Sequence, residues 1–397
     1  MSNKLSALAV LLLTAACSPA PSAGHPSAAA ASPSAVAAVS PIPDSPAQAP
    51  IPSSSQVPTS TSDVLMSIRM TSLSVMWAGT TRRVLRSTDA GRRWTNVTPA
   101  AGPATAWSSF FALDDEAAWV VSSSFGSRTY RILRTFDGGR TWASALDSLP
   151  GGAISNLMFV DRLHGWATVR LGAAAGSEGV AVLASSNGGA SWKLIAESGD
   201  PSTGQPGPSG ISFSCDKQGA VFATPTVGFL SQECAGGPLA IYRTTDGGFR
   251  WTLIGLPYLG PASALSYNLD PIFLTTHDAV MQAFYYEGQS TVPTPALLVT
   301  HDAGATWHAF AVPGQGAIDF ESTTSGWLVG SRIHATTNGA SSWRALAVPA
   351  PPFVPSDVQL QDLGRGIALA WGRTVAFRTD DGANTWRAVT PPGLQST

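Results

Sequence analysis

Short apolar or alternating runs of strand length recur along most of the chain, separated by clusters of Gly, Asp, Asn, Ser and Thr. This pattern predicts β-strands joined by tight turns. The stretch from 154 to 195 is the clearest case. Residues 154–160, 165–169, 180–185 and 191–195 read as four consecutive strands, a to d, of an antiparallel meander. Phe159 is expected opposite Trp166 in the a–b hairpin, and Phe222 opposite Phe229 in the next unit.

The c–d turn of that meander carries a motif, Ser/Thr-x-Asp/Asn-x-Gly/Ala-x-x-Trp in its loosest form with Ala340 and Ala383 in place of the glycine, that occurs seven times. Its acidic or amide positions are Asp89, Asp137, Asn187, Asp246, Asp302, Asn338 and Asp381, and its tryptophans are Trp94, Trp142, Trp192, Trp251, Trp307, Trp343 and Trp386. Successive tryptophans lie 48, 50, 59, 56, 36 and 43 residues apart. Those intervals suit one four-stranded blade per repeat, and hence an all-β, seven-bladed β-propeller of antiparallel blades over residues 63–391. The Asp or Asn side chain is expected to accept backbone N–H groups, glycine to supply positive φ, and the Trp to open strand d. A second aromatic series, Trp77, Trp119, Trp166, Phe229 and Trp327, falls in strand b, with Ile367 and the nearby Trp371 in the last repeat. Both series read as core. Asp114, Asp161 and Asp362, five residues before the strand b position, read as caps of the a–b turn.

The N-terminus departs from this pattern. Lys4, an apolar run over 5–13 and the small residues before Cys17 read as an export signal over residues 1–16. Residues 18–62 hold ten prolines, one acid and no aromatic residue, too little apolar surface to fold alone. They read as a disordered tether over 17–62 that, where extended, reaches on the order of 100 Å. Residues 392–397 read as a tail. Cys215 and Cys234 are then expected to form a disulfide, because an exported chain meets oxidising conditions and the hairpin puts them on opposite strands. With 23 basic and 25 acidic residues, and Lys4, Lys193 and Lys217 the only lysines, no basic stripe exists for nucleic acid.

The segment ending in Cys17 resembles a bacterial lipobox, with Thr14 where the family prefers Leu, Val or Ile. The resemblance implies lipidation of Cys17 and attachment to the outer face of a bacterial membrane; simple secretion is the alternative. The repeated motif resembles the Asp-box, or bacterial neuraminidase repeat. With Gly165-Trp166 and Gly326-Trp327, the array is similar to the propellers of photosystem II stability and assembly factors. That resemblance implies a monomeric binding scaffold with a protein partner near a membrane. Sialidases and some endoglucanases share the motif, so a glycan-binding or glycoside-hydrolase propeller is the alternative.

A residue type present in every blade serves the blade, so recognition is sought where the repeat is broken. The insertions 122–128, 171–179, 196–210, 256–270 and 287–295 all belong to b–c or d–a connections, which share one face of a meander propeller. On that face the candidates are Arg128, Arg170, Asp200, Tyr258, Tyr285, Tyr286 and Glu287. The catalytic inventory is empty. The sialidase Arg-Ile-Pro segment is missing, Tyr286 and Glu287 adjoin so that their side chains point to opposite faces of a strand, and no other acid pair stands out beyond Asp319 and Glu321. His164, His277, His301, His308 and His334 do not follow a ligand spacing, so no metal and no cofactor is expected.

Overall fold

A computed structural model describes residues 63–394, apart from 101–106, 124–128, 149–151, 175–176, 235–238, 258, 260–265, 269, 286–291, 350, 352–354, 363 and 371–374. Cys17, the export signal and the tether lie outside the described residues, as do Arg128, Tyr258, Tyr286, Glu287 and Trp371. Seven antiparallel sheets, each with its strands in sequence order, stand in a ring, and no helix occurs among the described residues. Blade 3 comprises strands a (Ala153–Phe159), b (Gly165–Ala174), c (Ser177–Ser185) and d (Lys193–Glu197). Blade 5 differs in its inner strand, which is split into Ser266–Asn268 and Ile272–Phe273, both paired with Ala279–Tyr285. Pro271, lacking an N–H, stands in the gap.

Three expectations about local structure are corrected. Phe159 pairs with Gly165, and Phe222 with Gly228, one residue short of the expected aromatic partners. The aromatic ring needs the space that a Cβ would fill. A methyl on Gly165 would lie 2.3 Å from Phe159, and one on Gly228 would lie 2.5 Å from Phe222. The Trp of the motif does not open strand d but stands immediately before it in every blade, as Trp192 does before Lys193. The insertion at 171–179 is largely strand, because b and c of blade 3 extend as a hairpin to the Ala174–Ser177 pair.

The seven c–d turns share one hydrogen-bond scheme. In the second, the Thr135 hydroxyl donates to Asp137 Oδ1 at 2.8 Å and accepts from Gly139 N at 2.9 Å, while Asp137 Oδ1 accepts from Thr141 N at 2.9 Å. The same three bonds recur from Ser87 to Arg93 and from Thr379 to Thr385. Asn keeps the scheme where it replaces Asp, and its Nδ2 donates to Ser191 or Ser342 where the carboxylates of Asp137, Asp302 and Asp381 accept from a threonine hydroxyl. The two residues after the Asp or Asn have positive φ in all seven turns. Alanine tolerates this at Ala90, Ala303, Ala340 and Ala383.

The a–b turns lie beside these c–d turns. A backbone bond clasps the two in each blade, from Ala90 N to Ser74 O in the first and from Gly382 N to Gly364 O in the seventh. Asp114 accepts from the amides of Glu116 and Ala117, Asp161 from Leu163 and His164, and Asp362 from Gly364. In the other four blades Ser72, Thr224, Thr275 and Ser322 accept the equivalent amide bonds through their hydroxyls. Sequence reading recognised only the acids; the Ser and Thr at the same offset carried the missing signal.

Apolar clusters form between blades rather than within them. Trp119 of strand b in blade 2 stacks on Phe159 of blade 3 with centroids 3.8 Å apart, and its Nε1 donates to Gly188 O at 3.0 Å. Trp166 repeats the contact on Phe222 at 3.7 Å and on Gly247 O at 2.9 Å. Phe159 and Phe222 in turn meet Trp192 and Trp251 of their own blades edge-on. These two junctions therefore each bury three rings, and in both the indole N–H of the strand b tryptophan is satisfied.

The inner edge of strand a is also covered by the preceding blade. Met158 Sδ accepts Phe222 N, Asp319 Oδ2 accepts Leu360 N at 2.6 Å, and Gln359 Oε1 accepts Met70 N at 2.9 Å. The last bond joins blade 7 to blade 1. Gln359 and Gln361 also donate to Met70 O, Arg387 donates to Ala90 O, and Trp94 donates to Val389 O. A shared apolar cluster containing Leu65, Met70, Ile367 and Val389 completes the junction. The ring thus closes through side chains, with all four strands of each terminal blade drawn from one end of the repeat array.

Candidate functional site

The two faces of the ring carry different chemistry. On the face made by the a–b and c–d turns, the motif carboxylates are engaged with backbone and hydroxyl groups. Asp137 is held down to about 2 by the Thr141 hydroxyl and amide, and Asp302 likewise by Thr306. Asp89 is lowered by the amide of Arg93, and Asp381 by the hydroxyl of Thr385. These groups remain ionised acceptors and have no proton to donate near neutral pH.

Arginines preceding the motif link blades on this face. Arg86 Nε donates to Asp115 O, Arg134 Nη1 to Gly188 O and Arg243 Nε to Ala303 O, each in the next blade, while Arg378 reaches Met70 Sδ across the closure. Sequence reading passed over this set, although an arginine immediately before the motif in four repeats was visible. His164 pairs with Asp161 at 2.8 Å and His301 with Asp278 at 2.7 Å. Both are turn contacts, and no group of three or more metal-ligating side chains occurs among the described residues. Asp319, one of the two acids considered for hydrolysis, is fully buried and holds the Leu360 amide.

On the opposite face, the junction of blades 3 and 4 breaks the repeat. Arg170 ends the regular part of strand b, and its Nε lies 3.3 Å from Glu178 Oε1, across the long hairpin. Glu178 is buried, and burial raises its carboxyl above the usual range against the opposing charge of Arg170. Its Oε2 has no hydrogen-bond partner among the described residues. Lys217, the second residue of the inner strand of blade 4 (Asp216–Phe222), is also buried. Its ammonium donates to Ser214 O, to Cys215 O at 3.0 Å and to Glu178 O at 3.3 Å. Burial lowers this lysine to about 8. Cys215 and Cys234 are joined by a disulfide with a Cα–Cα separation of 4.6 Å, beside the opposed pair Asp216 and Glu233.

The remaining described candidates do not gather around this junction as one set. Asp200 is exposed in the connection from blade 3 to blade 4, where it caps its own turn by accepting from the amide and hydroxyl of Ser202. Tyr285, expected on the exposed face, is a correction: it is buried at the end of strand b in blade 5, opposite Ser266 and Thr294.

Closed ring, blade order and engaged turn acids define a seven-bladed propeller. Solved structures with this fold include YCF48 bound to D1 peptide, with TM-score 0.52 and 13% identity over 81% of this chain and 92% of that one. YCF48 from Cyanidioschyzon merolae gives TM-score 0.51 and 18% identity over 82% and 96%. At such identities the likeness is one of fold. No family profile matches the chain, and no curated protein matches it.

Proposed function

We propose that this chain is an exported propeller, lipid-anchored through Cys17, that acts as a protein-binding scaffold in the manner of an assembly factor. The observation that carries this reading is the commitment of the repeated carboxylates and tryptophans to turns and blade junctions, which leaves recognition to residues that break the repeat. Arg170 and the connection containing Asp200 belong to the loop-bearing face, where interfaces built on rigid scaffolds tend to form. The propeller solved with a D1 peptide supports a protein partner for this fold.

The test is affinity capture with the full-length protein, comparing intact chain with one whose 196–210 loop is shortened, alongside a panel of fluorogenic glycosides. A partner lost on shortening supports the scaffold reading. Glycoside turnover abolished by one loop carboxylate change would instead establish a hydrolase. Anchoring is tested separately: a Cys17→Ala chain should lose fatty-acid labelling and leave the membrane fraction.

A further inference from the structure

We propose that the Cys215–Cys234 disulfide is a redox latch that keeps Lys217 buried, so that its reduction exposes this lysine on the loop-bearing face. An ammonium has three N–H donors, and the three of Lys217 are matched by the carbonyls of Ser214, Cys215 and Glu178. Two of the three acceptors therefore sit on the segment that the disulfide ties to strand b of blade 4 (Gly228–Glu233). Cys215 is held there with φ 65°, a left-handed conformation that a residue with a Cβ adopts at a cost. The same carbonyl of Cys215 accepts from Glu178 N at 3.0 Å, and Phe213 lies against Gly179, so the latch also ties the segment to the hairpin of blade 3.

Reduction takes two electrons and two protons from a dithiol. The S–S bond breaks, two S–H bonds form on Cys215 and Cys234, and the dithiol leaves as its cyclic disulfide. With the cross-link gone, Cys215 relaxes toward negative φ and its carbonyl turns from the cradle. A buried ammonium that loses its acceptors is costly, whereas the same ammonium in water is not, so the side chain moves outward. Asp216 and Glu233, paired across the strands beside it, are the carboxylates it then meets. The device rests on this geometry and holds whichever partner the face recognises.

Lysine acetylation read residue by residue by mass spectrometry tests it, because Lys193 is exposed and provides an internal standard. In the oxidised full-length protein Lys217 should react far more slowly than Lys193. After reduction with dithiothreitol its rate should rise at least about tenfold with Lys193 unchanged, the scale expected for a local opening. Amide exchange in strand a of blade 6 (Gly316–Phe320) is followed in the same samples. A Lys217 rate that stays low on reduction, or rises only when blade 6 loses protection, overturns the proposal. A Cys215→Ser, Cys234→Ser chain should label Lys217 at the reduced rate without reductant.

Discussion

Asp270 provides the sharpest test of the inner ring. It stands in the gap of the split inner strand of blade 5, is 6% exposed, and its Oδ1 has no hydrogen-bond partner among the described residues. Burial raises its carboxyl to about 7, with the Ser231 hydroxyl of blade 4 opposing the shift. The folded chain therefore holds this proton where the unfolded chain, with an ordinary value of 3.8, has lost it. Stability must fall as pH rises from about 4 to about 7 and then level off. A shift of roughly three units at 1.36 kcal/mol each corresponds to about 4 kcal/mol at pH 8, an upper bound because any local opening that hydrates the carboxylate reduces it. Asp270→Asn keeps the shape and removes the titration. Urea unfolding of both chains across this range should show the variant gaining on the parent as pH rises, by up to about 4 kcal/mol. His334, lowered by burial and Arg332, contributes the opposite slope below its unfolded value, but it is common to both chains and cancels in the difference. Parallel pH profiles for the two chains would refute the reasoning.

Four further outcomes follow from the packing. Replacing Cys215 and Cys234 together by serine frees a cross-link spanning 19 residues and should lower stability by about 3 kcal/mol in denaturant titration. Gln359→Ala leaves the Met70 amide unsatisfied at the closure. A loss of about 1–3 kcal/mol and faster amide exchange at Met70 than at Phe222 are expected. Asp137→Ala should lower the melting temperature, whereas Asp137→Asn should retain most of it, since Asn187 and Asn338 hold the same bonds in their own turns. The Asp137 contribution, present above the ordinary carboxylate value, should be lost in the parent as pH falls toward about 2. Ala303→Gly relieves a φ of 56° at a partly exposed turn and should add about 0.5–1 kcal/mol by thermal or chemical unfolding.

The turn motif was legible because everything it needs is local. A hydroxyl, a carboxylate or amide oxygen two residues on and two residues that accept positive φ close the same bonds wherever they occur, so seven copies announced seven blades. Register was less legible. Phe222 meets Gly228 rather than Phe229 because the ring fills the place of a missing Cβ, a fit between strands that the spacing of aromatic residues does not encode. The candidate site was the least legible. Arg170 could be picked as an irregularity, but Glu178 and Lys217 looked like ordinary charged residues, and Tyr285 looked exposed until the sheet buried it.

The sequence by itself determined the blade, its turns and the number of repeats, since these depend on hydrogen bonds between residues a few positions apart. Only the tertiary structure decided how the ring closes at Met70, that the Asp270 carboxyl is buried, and that Lys217 sits among three carbonyls. Those outcomes depend on desolvation and on contacts between blades, where residues as far apart as Met70 and Gln359, separated by 289 positions, share one environment.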